Sequence, residues 1–105
     1  MENLGGSRSA EYVETIADGE TGESVYVHPI NNNSGLISCT LISNGNTGKI
    51  QTSTSTLSAI TAGSATWVDW SEGDVTTTTI DVISGPVTGI RGVSVSGEIS
   101  IEIVF

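Results

Sequence analysis

The chain has 105 residues, with 12 acidic and 3 basic side chains and a formal charge of −9 at pH 7. Charged residues make up 14% of it, against about 25% in an average soluble domain, and 15 Ser, 14 Thr and 13 Gly fill the gap. Three bases argue against a phosphate-binding track, no apolar run nears the ~18 residues of a membrane span, and a single cysteine, Cys39, rules out an intrachain disulfide.

Val, Ile and Thr together number 36, whereas Ala and Leu number 9. β-branched side chains fit a pleated sheet and lose rotamer freedom in a helix, so the balance favours strands over helical bundles or coiled coils. The opening Met-Glu-Asn-Leu-Gly-Gly has neither the basic nor the apolar region of a secretory signal, and synthesis in a reducing cytoplasm is expected.

Residues 1–23 hold six acids and one arginine and read as an extended acidic N-terminal arm. One short strand is expected within it at 11–17, followed by a Gly-containing acidic loop. The remainder, 24–105, reads as one domain. Strands are expected at 24–30, where Pro29 marks an exit, and at 36–43, with an Asn-rich turn between them. A turn at 44–48 leads to weak alternation over 49–57, where Ile50, Thr52 and Thr54 oppose Gln51, Ser53 and Ser55. Ala62-Gly63-Ser64 turns into 66–70, a loop covers 71–74, and a Thr-rich strand is expected over 75–83.

The last two strands, 87–95 and 98–105, carry the clearest period. Ile99, Ile101, Ile103 and Phe105 alternate with Glu98, Ser100, Glu102 and Val104, as in a half-buried strand. A two-residue Ser96-Gly97 turn would make them a hairpin, with Ile90 facing Ile103, Gly92 facing Ile101, and Arg91 paired with Glu102 on the other side. Seven or eight short strands without helical crossovers predict an all-β fold, a β-sandwich of jelly-roll or Greek-key type.

Chemistry-bearing motifs are sparse. His28 is the one histidine, and no Gly-x-Ser-x-Gly elbow accompanies it, so the reading is non-enzymatic. Cys39 has no basic neighbour in sequence and reads as a small buried hydrophobe. One Cys and one His do not make a zinc site, and no cofactor is expected. Asp69, Glu72 and Asp74 could offer oxygens to calcium, but the EF-hand spacing is missing and a solvated acidic turn is the simpler account. Trp67 and Trp70 are three apart, so in a strand they cannot form one sugar platform; Trp67 is expected in the core and Trp70 at a loop or contact.

The segments Ala65-Thr66-Trp67-Val68-Asp69-Trp70, Gly73-Asp74-Val75 and Gly85-Pro86-Val87-Thr88-Gly89-Ile90-Arg91, closed by an alternating strand, resemble small β-rich virion structural proteins of tailed bacteriophages. The resemblance implies a capsid decoration or cement protein on the virion surface. Its partner would be the major capsid protein, and its own state a homo-oligomer, with a trimer favoured. Tyr12, Ile16, Tyr26, His28 and Trp70 are the expected contact residues. A head-fibre or tail module binding host glycans is the alternative, and a calcium-binding interaction domain a further one. Residues 24–66 contain no acid and only Lys49, and contacts are expected there because interface centres are depleted in charge.

Overall fold

The computed structural model describes residues 11–27, 36–84 and 87–104. Eight strands and one short helix follow in the order β1 (Glu11–Ile16), β2 (Val25–Tyr26), β3 (Leu36–Ile42), β4 (Thr47–Ser53), α1 (Leu57–Ala62), β5 (Val68–Asp69), β6 (Thr79–Ser84), β7 (Gly89–Ser96) and β8 (Ile99–Val104). They form two four-stranded antiparallel sheets: sheet I in the order β1-β8-β3-β6 and sheet II in the order β2-β7-β4-β5. The expected β-sandwich is therefore the fold. Partners β1/β8, β2/β7, β3/β6 and β4/β5 are those of one long antiparallel ribbon wound around itself, which is the jelly roll.

The core lies between the sheets. Sheet I contributes Ile16, Ile37, Cys39, Leu41, Ile99, Ile101 and Ile103; Ile50, Trp70 and Ile90 come from sheet II, and Val27 follows β2. The hollow opposite the sheet I isoleucines is lined by small residues. A Cβ on Gly92 would lie 2.7 Å from Ile16 Cδ1 and 2.9 Å from Ile101 Cγ2, and one on Gly48 would lie 2.6 Å from Ile99 Cδ1. Ser94 is also buried there, accepting from the Gly19 N–H and donating to the Gly97 carbonyl.

The last two strands do not form a hairpin. β7 belongs to sheet II and β8 to sheet I, so Arg91 pairs with Gln51 while Glu102 lies between Val13 and Thr40. The Arg91–Glu102 pair is thus corrected: the two side chains sit on opposite outer faces of the sandwich. Gly92 does face Ile101, but across the core instead of along a ladder. The physical reason is the corner at Ser96-Gly97-Glu98, where Gly97 takes φ 81° and three polar groups hold the crossing. Its N–H donates to Asp18, its carbonyl accepts from Ser94, and the Glu98 carbonyl accepts from Asn46.

The acidic segment is also revised. Its residues 11–16 are the edge strand β1 of sheet I, and Thr21 bridges Val93 of sheet II, so the described part of 1–23 belongs to the sandwich. The 31–35 turn and His28 lie outside the described residues. The expected 49–57 strand ends at Ser53, and the helix α1 follows from Leu57. Thr56 caps it by accepting from the Ala59 N–H at 3.2 Å, and Gly63 ends it at φ 78°.

Candidate association surfaces

Strand register sorts every side chain of sheet I into core-facing or outward. One outward row runs Val13, Glu102, Thr40, Ile80, and the next runs Glu11, Val104, Ser38, Val82, with Leu36 beside Ser84 at the end. Five large aliphatics on this face are open to solvent: Val13, Leu36, Ile80, Val82 and Val104, with Ile80 at 70% and Val13 at 66% exposure. They are interspersed with Ser38, Thr40, Glu11 and Glu102. An aliphatic set shared by four adjacent strands is more than the scattered single hydrophobes of an ordinary surface.

The edge strand β6 closes this sheet with a carboxylate turned to the inner side. Asp81 pairs with buried Cys39, accepts from the Ser71 hydroxyl at 2.6 Å and from the Val82 N–H at 2.8 Å, and these bonds hold its carboxyl below the usual range. An inward charge at an edge discourages strand-to-strand aggregation there. Burial, helped by the charge of Asp81, pushes the Cys39 thiol up to about 12, so it remains a neutral core group as its sequence context suggests.

The outer face of sheet II is built differently. Asp69, Gln51 and Arg91 are neighbours across β5, β4 and β7 and form one chain of bonds. Gln51 Nε2 donates to Asp69 Oδ1 at 3.0 Å, Lys49 Nζ donates to Asp69 Oδ2 at 3.2 Å, and Arg91 Nε donates to Gln51 Oε1 at 2.8 Å. The Gln51 and Lys49 bonds hold the Asp69 carboxyl below its usual range. The Arg91 guanidinium stacks 4.3 Å from the Trp67 ring centre, and burial lowers its pKa. Trp67 and Ile60 of α1 reach over Gly89, where an added Cβ would meet them at 3.1 and 2.9 Å. Only a glycine lets the indole settle this close to the strand.

The expected contact residues fare unevenly. Ile16 and Trp70 are core residues, and the Trp70 Nε1–H is satisfied by the Gly73 carbonyl at 2.7 Å. Tyr12 is half-buried and donates to Glu14, Tyr26 is half-buried in β2, and His28 lies outside the described residues. The tryptophan roles are exchanged: Trp70 follows Val68 in parity and turns inward, while Trp67 lies outside with Arg91. Sequence reasoning missed the sheet I stripe because β1 alternates Tyr12, Glu14, Ile16 with Val13, Thr15, Ala17, and either set could serve as the inner one. Burial of Ile16 decides it.

A cleft of about 280 Å³ opens between β5 and β6, lined by Thr52, Asp69, Trp70, Ser71, Asp81 and the outer end of β6. Its two carboxylates are both engaged by neighbours, and no cluster of three or more metal-ligating side chains occurs among the described residues. The neutrality of 24–66 also has a positional cause, since its β3 and β4 are inner strands of their sheets.

No protein-family model and no curated protein sequence matches the chain. Among solved structures, the capsular polysaccharide assembling protein CapF from Staphylococcus aureus superposes with a TM-score of 0.51 at 12% identity, over 92% of this chain and 24% of CapF. CapF with the inhibitor 3-isopropenyl-tropolone gives 0.50 at 14% identity with the same coverage. A protein of the Bacillus endospore appendages, described as a novel family of disulfide-linked pili, gives 0.43 at 13% identity over 93% of this chain and 88% of that one. The present chain spans about a quarter of CapF, and at these identities what the two share is the fold.

Proposed function

We propose that this chain is a non-enzymatic structural protein that works by docking the outer face of sheet I onto another protein surface. In its concrete form the reading is a capsid decoration or cement protein on a virion, with the major capsid protein as its partner. One observation carries it: the exposed set Val13, Leu36, Ile80, Val82 and Val104 across all four strands of one sheet. Leaving such a stripe wet forgoes about 25 cal/mol for each Å² of apolar surface, and a docked partner recovers that free energy. A protein that binds only the assembled lattice stabilises it by mass action, by about 2.7 kcal/mol per site at 100-fold over Kd.

Co-sedimentation with purified capsids tests the reading. Wild-type protein is expected to pellet with them, and Ile80→Ser combined with Val13→Ser to reduce the bound fraction severalfold without lowering the melting temperature. Undiminished binding by the double variant would reject this face, and absence of wild-type binding would reject the virion setting.

A further inference from the structure

The two outer faces differ in charge as well as in covering. Among the described strand residues, the outer face of sheet I carries two carboxylates, Glu11 and Glu102, and no cation. The outer face of sheet II carries both described cations, Lys49 and Arg91, in a chain whose net charge is −9. Its carboxylate, Asp69, is engaged by Lys49 and Gln51. Arg91 is held by two uncharged groups, the Gln51 amide oxygen and the Trp67 ring, and among the described residues no carboxylate lies within ion-pair distance of it. Half-buried, stacked and pinned at Nε, its guanidinium has its outer N–H groups left to receive a carboxylate in the forked geometry that arginine favours.

We propose that copies of this chain associate head to tail, the outer face of sheet I on the outer face of sheet II, with Arg91 receiving the carboxylate of Glu102 of the partner subunit. The inference rests on the reading of the outer face of sheet I as a docking surface. It gives that face a second copy as its occupant within a stack, the terminal copy alone keeping the face open to the capsid. Placing sheet I against sheet I would bring four carboxylates together with no described cation between them, and like charges across an interface oppose association. The heterologous arrangement opposes unlike charges, and it sets the sheet I aliphatics against Val93, Val95 and Trp67 of sheet II. Because the outer faces of one sandwich point away from each other, the contact repeats as an open stack and not as a closed pair or a trimer. Four strands about 4.8 Å apart and about 20 Å long offer roughly 400 Å² per face, about half of a standard interface. Each contact is therefore weak, and the stack forms at high concentration or on a surface that crowds the copies.

Sedimentation velocity of the full chain over about 10 µM to 1 mM reads this directly, that range bracketing contacts of low affinity. The weight-average sedimentation coefficient of the wild type is expected to rise with concentration. Arg91→Glu and Glu102→Arg are each expected to shift that rise at least tenfold higher in concentration. An equimolar mixture of the two is expected to restore it, because alternation sets each introduced charge opposite its complement. Arg91→Gln and Glu102→Gln, accepted when their melting temperatures match wild type, provide milder versions of the same loss. A wild type that stays monomeric to 1 mM, charge variants that associate like wild type, or a mixture that stays monomeric would each overturn the proposal. A monomer that still pellets with capsids would remove the stack and leave the docking reading standing; a stack that ignores capsids would do the reverse.

Discussion

Sheet I sends Ile16, Ile99 and Ile101 into the core and leaves Val13, Ile80 and Val82 outside it, whereas sheet II receives those isoleucines in a hollow of Gly48, Gly92 and Ser94 and fastens its own exterior. The Lys49–Asp69–Gln51–Arg91 chain and the Trp67 lid occupy the outer groups of sheet II with partners from the same molecule. Sheet I has few such partners, Thr15 with Ser100 being one. The difference teaches that exposure alone does not mark a contact surface. Both faces are wet, but the charged side chains of one bond to groups of the same molecule, and the other turns the aliphatic side chains of four strands toward solvent.

Substitutions on the two sides of sheet I should separate most widely. Ile101→Ala is expected to cost about 2–5 kcal/mol in urea unfolding, and Ile80→Ala, on the outside, less than about 0.5 kcal/mol. Similar losses at both positions would mean that the outer face is covered in solution. Next in size, Gly92→Ala should cost about 1–3 kcal/mol, because its Cβ meets Ile16 Cδ1 at 2.7 Å. Adding Ile16→Val removes that methyl, so a double-mutant cycle should return part of the loss; strict additivity would show that the two sheets do not interlock there.

On the exterior of sheet II, Arg91→Ala is expected to lower stability by about 0.5–1 kcal/mol and to shift tryptophan emission as Trp67 loses its cover. An unchanged spectrum would separate the guanidinium from the ring in solution. The response to pH, smallest near neutrality, has an alkaline limb and an acid limb. Burial raises Cys39 from 9.0 and Tyr12 from 10.0, each to about 12, and both side chains belong to sheet I. The unfolded chain ionises them first, so their contribution is intact below about pH 9 and is lost as pH climbs toward 12. Asp69 of sheet II and Asp81 of sheet I are both lowered from 3.8, so their contribution holds above that value and fades as pH falls below it. Urea midpoints across pH should fall at both ends, and Asp69→Asn should blunt only the acid side.

How much of this could be read from the chain depends on whether the information is local. The alternation of β8, the neutral run of β3 and the Asn44-Gly45 turn, both of whose residues adopt positive φ, depend on neighbours in sequence, and they stand where periodicity and turn chemistry put them. The assignment of β7 and β8 to different sheets depends on a corner held by Asp18 and Asn46, 79 and 52 residues from the groups they bind. Alternation says which side of a strand is buried, and is silent on whether the facing residue lies beside it or across the core. That is why Gly92 and Ile101 were legible as neighbours while Arg91 and Glu102 were not legible as strangers. The helix α1 escaped for another reason: its Ser, Thr and β-branched content is poor for helices, and its cap Thr56 and terminator Gly63 outweigh propensity only once Ile60 packs over Gly89.

The winding that pairs β1 with β8 has a consequence for how the molecule comes into being. Of the eight strands, β8 is the last to leave the ribosome, yet it occupies the middle of sheet I, between β1 and β3. Every earlier stage of synthesis leaves those two strands with unsatisfied ladders turned toward an empty lane. Such non-local topologies fold in milliseconds to seconds, and open strand edges can recruit any extended segment in the meantime. The nascent chain is therefore at its most adhesive until β8 emerges, and the six residues of that strand both finish the sheet and withdraw that invitation.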